Sequence, residues 1–272
     1  MADKAIAWAT DIHLNFVGEA GFRKFIDELL LKSPETLLIA GDISDGPGVM
    51  PCLRKLEASV KSKICFVLGN HDSYHGSISK TRSLAEQLSK EFERLVFLDG
   101  HAPVEMAEGV ALVGHSGWAD GRYGDYGRSD VMLNDYVLID DFKGLSKMQR
   151  LDKLNELGDE AAGHLRRSLS DALQEYEKVI CLTHVPPFQE ACLYEGRRTD
   201  ENHLPHFANK AAGDAMLDVM EGRPNARLSV LCGHTHSHSH VKIRENLVVT
   251  AGGAQYGQPK LQDDAALLEF LR

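Results

Sequence analysis

The sequence lacks the features of secreted, membrane-bound and disulfide-rich proteins. Its first residues do not form a basic segment followed by an apolar one, and no apolar run approaches the ~20 residues of a membrane span. The five cysteines are an odd number without a Cys-x-x-Cys pair, so neither a disulfide framework nor a zinc knuckle is expected. These absences predict a cytoplasmic protein without a membrane partner.

Positive charge is also scarce. The 272 residues include 30 Lys and Arg against 40 Asp and Glu, a net charge of −10. Binding along an extended nucleic acid requires clustered Lys and Arg, so the charge argues against that class of protein. Hydrophobic residues (43%) and charged residues (26%) are as frequent as in ordinary globular proteins. The thirteen histidines, by contrast, are an excess that requires an explanation.

Strand and helix patterns alternate along the first hundred residues, which predicts parallel strands joined by crossover helices. The segments are a strand at 5–9, a helix at 21–32, a strand at 36–40, a helix after Pro47, a strand at 63–68 and a helix at 79–92. A hairpin is expected within 104–113. The pattern is typical of an α/β fold.

The rest of the chain combines further strands with two long loops. A helical pattern covers 147–176, and Gly158 and Gly163 are expected to break or bend it. Further strands are expected at 179–182, 228–231, 241–243, 247–250 and 266–271. Long insert loops are expected at about 118–145 and 186–207. We interpret residues 1–272 as a single α/β domain.

Side chains that bind metals follow five of the predicted strands. They are Asp11 and His13, Asp42 and Asp45, Asn70 with His71 and Asp72, His184, and His234 with His236. Because ligands bind at the carboxyl ends of strands in open α/β sheets, these side chains are expected to converge. Carboxylate, imidazole and amide groups together suit Mn, Fe or Zn better than Ca or Mg. Their number exceeds what one ion takes, which predicts two ions that share a bridging carboxylate.

These residues, in this order, resemble the motifs of the calcineurin-like metallophosphoesterases. The family pattern is Asp-x-His, Gly-Asp, Gly-Asn-His-Asp/Glu, a lone His, and Gly-His-x-His. The matching segments are Asp11-Ile12-His13, Gly41-Asp42, Gly69-Asn70-His71-Asp72, His184 and Gly233-His234-Thr235-His236. The resemblance implies a four-layer sandwich of two mixed β-sheets flanked by helices, in which two divalent ions are bound.

The resemblance also implies a role for each residue. Asp11, His13 and His236 would bind one ion, and Asn70, His184 and His234 would bind the other. Asp42 would bridge the two ions, and His71 would act as the general acid that protonates the leaving oxygen. Asp72 would orient the imidazole of His71, while Asp45 would hold a ligand histidine in place. Gly46 stands where many members have Arg or another polar residue, so no phosphate contact is expected there.

The implied activity is hydrolysis of phosphoester bonds, with a dinuclear centre that activates water for in-line attack. We expect a small phosphodiester or phosphomonoester as substrate, and the diester more than the monoester. The alternatives are a nuclease acting on DNA or RNA ends and a catalytically silent scaffold of the same fold. Substrate contacts are expected from the insert loops, although their arginines are equally well explained as partners of nearby acids. The candidates are Arg122, Tyr123, Arg128, Tyr194, Arg197 and Arg198.

Overall fold

Four short apolar strands form a parallel sheet in the computed structural model, which describes residues 6–263 and 265–271. They are β1 (Ile6–Ala9), β2 (Thr36–Ala40), β3 (Lys63–Val67) and β4 (Leu95–Phe97), and they lie side by side in this order. Helices α1 (Glu19–Lys32), α2 (Val49–Ser59) and α3 (Ile78–Glu91) connect them. The predicted alternation of strands and helices is confirmed.

A second sheet is mixed and has six strands. They are β5 (Val104–Ala107), β6 (Val110–His115), β7 (Lys178–Thr183), β10 (Arg227–Cys232), β11 (Ser239–Arg244) and β12 (Leu247–Ala251), in the spatial order β11-β12-β10-β7-β6-β5. Strands β8 (Leu193–Tyr194) and β9 (Arg197–Arg198) form a separate small hairpin. The remaining helices are α4 (Asp135–Leu138), α5 (Lys147–Glu175), α6 (Lys210–Met220) and α7 (Ala265–Leu271). The expected hairpin within 104–113 is β5–β6.

Successive side chains of β1 point to opposite faces of the first sheet and so into two different apolar cores. Ile6 and Trp8 lie in the apolar core between the two sheets, together with Leu182 of β7 and Leu231 of β10. Ala7 belongs instead to the core between the first sheet and its helices. Helices α5 and α6 pack on the outer face of the second sheet. Two sheets therefore lie between two layers of helices, and the expected α/β sandwich is confirmed. Only the second sheet is mixed, whereas the first was expected to be mixed and is parallel.

The expected break in the long helix and the expected strand at 266–271 are wrong. Helix α5 runs without a break through Gly158 and Gly163. A Cβ at Gly158 would collide with the side chain of Asp120, so this glycine allows close packing and does not end the helix. Residues 265–271 form helix α7, where a strand was expected at 266–271. The buried side chains Leu267 and Phe270 are three residues apart, which is the spacing of one helical face.

The two long insert segments pack against each other. The backbone N–H groups of Asp120 and Gly121 donate hydrogen bonds to the carbonyls of Ala208 and Pro205. Farther along, the N–H of Asp125 donates to the carbonyl of Glu201. The first insert also has an aromatic core that includes Trp118, Tyr126, Tyr136 and Phe142. Both inserts are therefore ordered walls beside the strand ends.

Neither a disulfide bond nor a helix long and apolar enough to cross a membrane occurs among the described residues. All five cysteines are free, and Cys65, Cys181 and Cys232 are buried within strands. Burial raises the pKa of the Cys65 and Cys181 thiols to about 12. These thiols therefore contribute to stability as apolar side chains and have little reactivity.

We expect truncation of the core between the sheets to destabilise the whole fold. Leu38 on β2 is fully buried there, so Leu38→Ala is expected to lower the free energy of unfolding by about 2–5 kcal/mol. Urea unfolding followed by circular dichroism measures the change. The matched control is Leu31→Ala on α1, because Leu31 is 90% exposed and its loss is expected to cost at most about 0.5 kcal/mol. Equal losses for the two variants would contradict this assignment of the core.

Candidate metal centre

The carboxyl ends of strands from both sheets meet at one edge of the sandwich. Within each sheet a backbone hydrogen bond joins neighbouring strand ends, from the N–H of Asp11 to the carbonyl of Gly41 (3.0 Å) and from the N–H of Gly233 to the carbonyl of His184 (2.8 Å). Between the sheets, the N–H of His234 donates to Oδ1 of Asp11 (3.1 Å). The structure brings together all seven side chains that the sequence suggests as metal ligands. They are Asp11, His13, Asp42, Asn70, His184, His234 and His236.

One group of donor atoms comes from Asp11, His13, Asp42 and His236. These atoms all lie within 4.8 Å of one another. The Nε2 atoms of His13 and His236 are 3.1 Å apart, and Nε2 of His236 lies 3.3 Å from Oδ1 of Asp11. Oδ2 of Asp42 completes the group at 3.7 Å from Nε2 of His13. Four donors therefore face one common point.

A second group of donor atoms lies on the other side of Asp42. Oδ1 of Asn70 is 3.1 Å from Nε2 of His184 and 3.0 Å from Nδ1 of His234. Oδ1 of Asp42 lies 3.5 Å from Nε2 of His184. The two carboxylate oxygens of Asp42 thus face different donor groups, as a bridging ligand requires.

The donor atoms fit divalent metal ions in spacing and in chemistry. Metal–ligand bonds of about 2.0–2.2 Å place neighbouring ligand atoms about 3.0–3.5 Å apart, as the donors lie here. Nδ1 of His184 is 2.8 Å from the carbonyl of Ala40, and a proton on this nitrogen leaves Nε2 free to bind an ion. Nitrogen and oxygen donors without thiolate suit Mn, Fe or Zn. Either donor group is therefore able to hold one ion.

The electrostatics of the site favour bound positive charge. Burial opposes ionisation of Asp42, but the His184 and His71 imidazoles hold the pKa of this carboxyl well below its usual value. Burial likewise opposes the charged form of His184, but Asp42 raises its pKa to about 10. Burial lowers the pKa of His13 and of His234 to about 4, so both are neutral imidazoles at neutral pH. The carboxylate of Asp42 thus stabilises positive charge beside it, as at His184, while His13 and His234 are neutral nitrogen donors.

Several candidate metal ligands have strained backbone conformations. Eight non-glycine residues in the described part of the chain have a positive φ, and five of the eight are candidate ligands. Those five are Asp11, His13, Asp42, His234 and His236. Each such residue costs on the order of 1–3 kcal/mol and persists only where its surroundings impose it. The concentration of strain at the strand ends indicates that these loops are shaped for a function and not for stability.

Two glycines of the motifs are required by close approach. A Cβ at Gly69 would collide with the carboxylate of Asp42, and a Cβ at Gly233 would collide with the side chains of Thr10 and Asp11. The hydroxyl of Thr10 donates a hydrogen bond of 2.6 Å to Oδ2 of Asp11. The glycines thus let neighbouring loops come close enough to fix both carboxylates.

Asp45 orients the imidazole of His71, and the expectation that Asp72 does so is wrong. Oδ1 of Asp45 lies 3.2 Å from Nδ1 of His71. The Asp72 carboxylate instead accepts hydrogen bonds from the backbone N–H groups of Ile43, Ser44 and Gly69 at 2.8–3.0 Å. Burial is the main reason that the pKa of Asp72 rises to about 7. Asp72 therefore holds the loops together. Asp45 was expected to contact a metal-binding histidine, and it contacts the proposed general acid His71 instead.

Asp135 is a residue of the site that the sequence does not reveal. It lies on α4 in the first insert, and its Oδ1 accepts hydrogen bonds from Nδ2 of Asn70 and from the hydroxyl of Tyr74, both at 2.8 Å. The first of these bonds fixes the orientation of the Asn70 amide, so that Oδ1 faces His184 and His234. The Tyr74 ring packs on the His71 ring with centroids 4.3 Å apart. The insert therefore supports both Asn70 and His71.

A cavity of about 370 Å³ opens above the donor groups. His71, Tyr74 and Tyr256 contribute to its lining. The Tyr256 ring lies 4.5 Å from the ring of His13, and burial raises the pKa of its hydroxyl to about 12. Phe16 packs edge-on against Tyr256 and is half exposed. Aromatic surface therefore flanks the site on the His13 side.

Only some of the candidates for substrate contacts lie near this cavity. Arg122 forms salt bridges with Asp120 and Asp159, and Arg128 forms one with Asp125. Pairing with acids therefore explains these two arginines better than contact with a substrate does. Tyr123 packs against a small buried cluster that includes Cys192, Leu204 and Ala208. Tyr194 lines the cavity above the donor groups. Arg197 and Arg198 line a neighbouring cavity.

We expect loss of the Asp135 carboxylate to weaken metal binding. Asp135→Ala leaves the Asn70 amide free to rotate, and loss of such an orienting partner typically costs about 10–100-fold in metal affinity. Titration of the metal-free protein with Mn²⁺ in a calorimeter measures the change. Asp135→Asn keeps an acceptor oxygen and is expected to recover most of the affinity. The control is Asp140→Ala, which removes an exposed carboxylate just beyond α4, and unchanged affinity in Asp135→Ala would refute the role.

Comparisons with known proteins agree with the fold and identify the family. No curated protein matches the chain in sequence. The phosphopantetheinyl hydrolase PptH of Mycobacterium tuberculosis has a similar structure, with 15% identity, 96% of each chain covered and a TM-score of 0.66. A dimetal phosphatase of Danio rerio aligns with 13% identity, 92% of this chain and 88% of the other covered, and a TM-score of 0.57. The sequence profile of the calcineurin-like phosphoesterases matches residues 4–238. The chain therefore belongs to the calcineurin-like phosphoesterase family, whose members are metal-dependent hydrolases of phosphoesters.

Proposed function

We propose that this protein hydrolyses a small phosphodiester with the help of two divalent metal ions. The observation that carries the proposal is the pair of donor groups that share the carboxylate of Asp42. Asp11, His13 and His236 would hold one ion, and Asn70, His184 and His234 would hold the other. Mn, Fe or Zn, when bound, would supply Lewis acidity toward the phosphoryl oxygens and lower the pKa of water toward neutrality.

His71 is the general acid in this proposal. It lines the cavity, and a hydrogen bond from Nδ1 to Asp45 leaves Nε2 to donate a proton to the leaving oxygen. The His71 ring is held between Tyr74 and His13, at centroid distances of 4.3 and 4.7 Å, which limits its rotation. Asp45 and Tyr74 thus position the acid, and His71 is the residue that touches the substrate.

The shape of the cavity favours a small diester over a monoester. A diester has an organic group on each side of phosphorus, and aromatic surface lies on both sides of the donor groups. Tyr256 flanks His13 and His236, while Phe207 lies 5.0 Å from the ring of His234. The net charge of −10 weighs against a nuclease that follows a long strand. The five free cysteines are consistent with a reducing compartment such as the cytoplasm.

The activity is tested by replacing the acid. In His71→Ala, kcat/KM for a diester with a poor alkoxide leaving group is expected to fall about 10²–10⁴-fold, because the departing oxygen no longer receives a proton. A 4-nitrophenyl diester needs little protonation and is expected to lose much less. Elemental analysis of the same samples is expected to find the wild-type metal content.

Three results would count against the proposal. Equal losses of kcat/KM for the alkyl diester and the 4-nitrophenyl diester would show that His71 is not the general acid. Full activity of the variant on the alkyl diester would do the same. Faster turnover of single-stranded DNA than of any small diester by the Mn²⁺-loaded protein would replace the small substrate with a nucleic acid.

A further inference from the structure

A second cavity of about 400 Å³ adjoins the cavity above the donor groups. The β8–β9 hairpin of the second insert forms one of its walls. Tyr194, Phe207 and Thr235 line both cavities, so the two spaces lie next to each other at these three residues. Thr235 lies between the candidate ligands His234 and His236. The second cavity therefore lies within reach of a molecule that binds at the donor groups.

Two arginines line this second cavity without an acidic partner in contact with them. Arg197 and Arg198 are exposed and line it, and neither forms a salt bridge with any described residue. Arg122 and Arg128, in the first insert, are by contrast neutralised by acids. In a chain with a net charge of −10, two adjacent arginines without acidic partners beside an active site call for an anionic ligand.

The two acids that line the same cavity, Glu195 and Asp200, form no salt bridge with either arginine. Asp200 accepts hydrogen bonds from the backbone N–H and from Nδ1 of His203, both at 2.9 Å. Its hydrogen bonds with His203 are the main cause of its lowered pKa. Glu195 lies at the exposed turn between β8 and β9 with a positive φ. The guanidinium groups of Arg197 and Arg198 are therefore available to a ligand.

We propose that the second cavity is a substrate subsite for a second phosphate group of a nucleotide-like diester, in which the sugar links this phosphate to the scissile one. The proposal rests on the proposed function, because the scissile phosphate lies at the donor groups. A guanidinium suits phosphate, which accepts two parallel hydrogen bonds from it, and either Arg197 or Arg198 is able to provide this contact. Tyr194 and Phe207 line both cavities, where an aromatic ring is able to stack on the planar base of the nucleotide. The substrate class is thus a nucleotide-like diester that carries a further phosphate.

A matched pair of chromogenic esters tests the subsite. Thymidine 5′-(4-nitrophenyl phosphate) and its 3′-phosphorylated form share the same leaving group and differ only in the second phosphate. For the wild type, KM is expected to be lower for the 3′-phosphorylated ester. In the double variant Arg197→Ala/Arg198→Ala, KM for that ester is expected to rise about tenfold or more, because at least one charged hydrogen bond is lost. KM for the other ester and kcat for both are expected to stay at the wild-type values.

The control is the double variant Arg166→Ala/Arg167→Ala on α5, which removes the same charge from an exposed position away from both cavities. It is expected to leave both esters unaffected. Equal values of KM for the two esters in the wild type would overturn the subsite. So would equal increases of KM for both esters in the Arg197→Ala/Arg198→Ala variant.

Calorimetric binding of thymidine 3′,5′-bisphosphate to the Mn²⁺-loaded protein separates the subsite from the proposed function. Binding that weakens in the Arg197→Ala/Arg198→Ala variant, without hydrolysis of either ester, would support the subsite and overturn the diesterase. Hydrolysis of both esters without dependence on these arginines would support the diesterase and overturn the subsite. Absence of both binding and hydrolysis would overturn both.

Discussion

The buried carboxylate of Asp42 is the constraint on which the rest of the site depends. Its two oxygens face two separate groups of donor atoms, with His13 on one side and His184 on the other. A carboxylate without hydrogen bonds or positive charge is costly to bury, so the surrounding groups must compensate it. The backbone N–H of His71 does so in part with a hydrogen bond of 3.0 Å. The architecture of both sheets brings the other compensating groups to the same place.

The fold supplies the rigidity that this arrangement needs. Strands of both sheets end at one edge, and the cores on each side of the sheets hold those ends in place. The stability of these cores offsets the strained φ angles of the candidate ligands. The inserts then add what the strand ends do not provide, which is the support of Asn70 by Asp135 and the walls of both cavities.

The sequence was sufficient to predict that the seven candidate ligands lie close together, because each follows soon after a strand, where local spacing determines position. Their role as metal ligands stays a prediction from the resemblance of the motifs. It was insufficient for contacts between distant segments. Asp72 follows His71 in sequence, yet buried backbone N–H groups of Ile43, Ser44 and Gly69 occupy its carboxylate. Asp135 reaches Asn70 across 65 residues from a segment without periodicity. The short apolar segment at the end of the chain suited a strand or a helix equally, and packing of Leu267 and Phe270 decides for the helix.

The central claim is that Asp42 joins two metal sites, and the number of bound ions tests it most directly. Mn²⁺ is counted by elemental analysis of the wild type and of Asp42→Asn, after reconstitution and removal of free metal. The account predicts two ions per chain in the wild type and loss of both in Asp42→Asn, which keeps the shape but removes the charge. Circular dichroism of the variant is expected to match that of the wild type. A wild type that binds at most one ion, or a folded Asp42→Asn that retains two, would contradict the account.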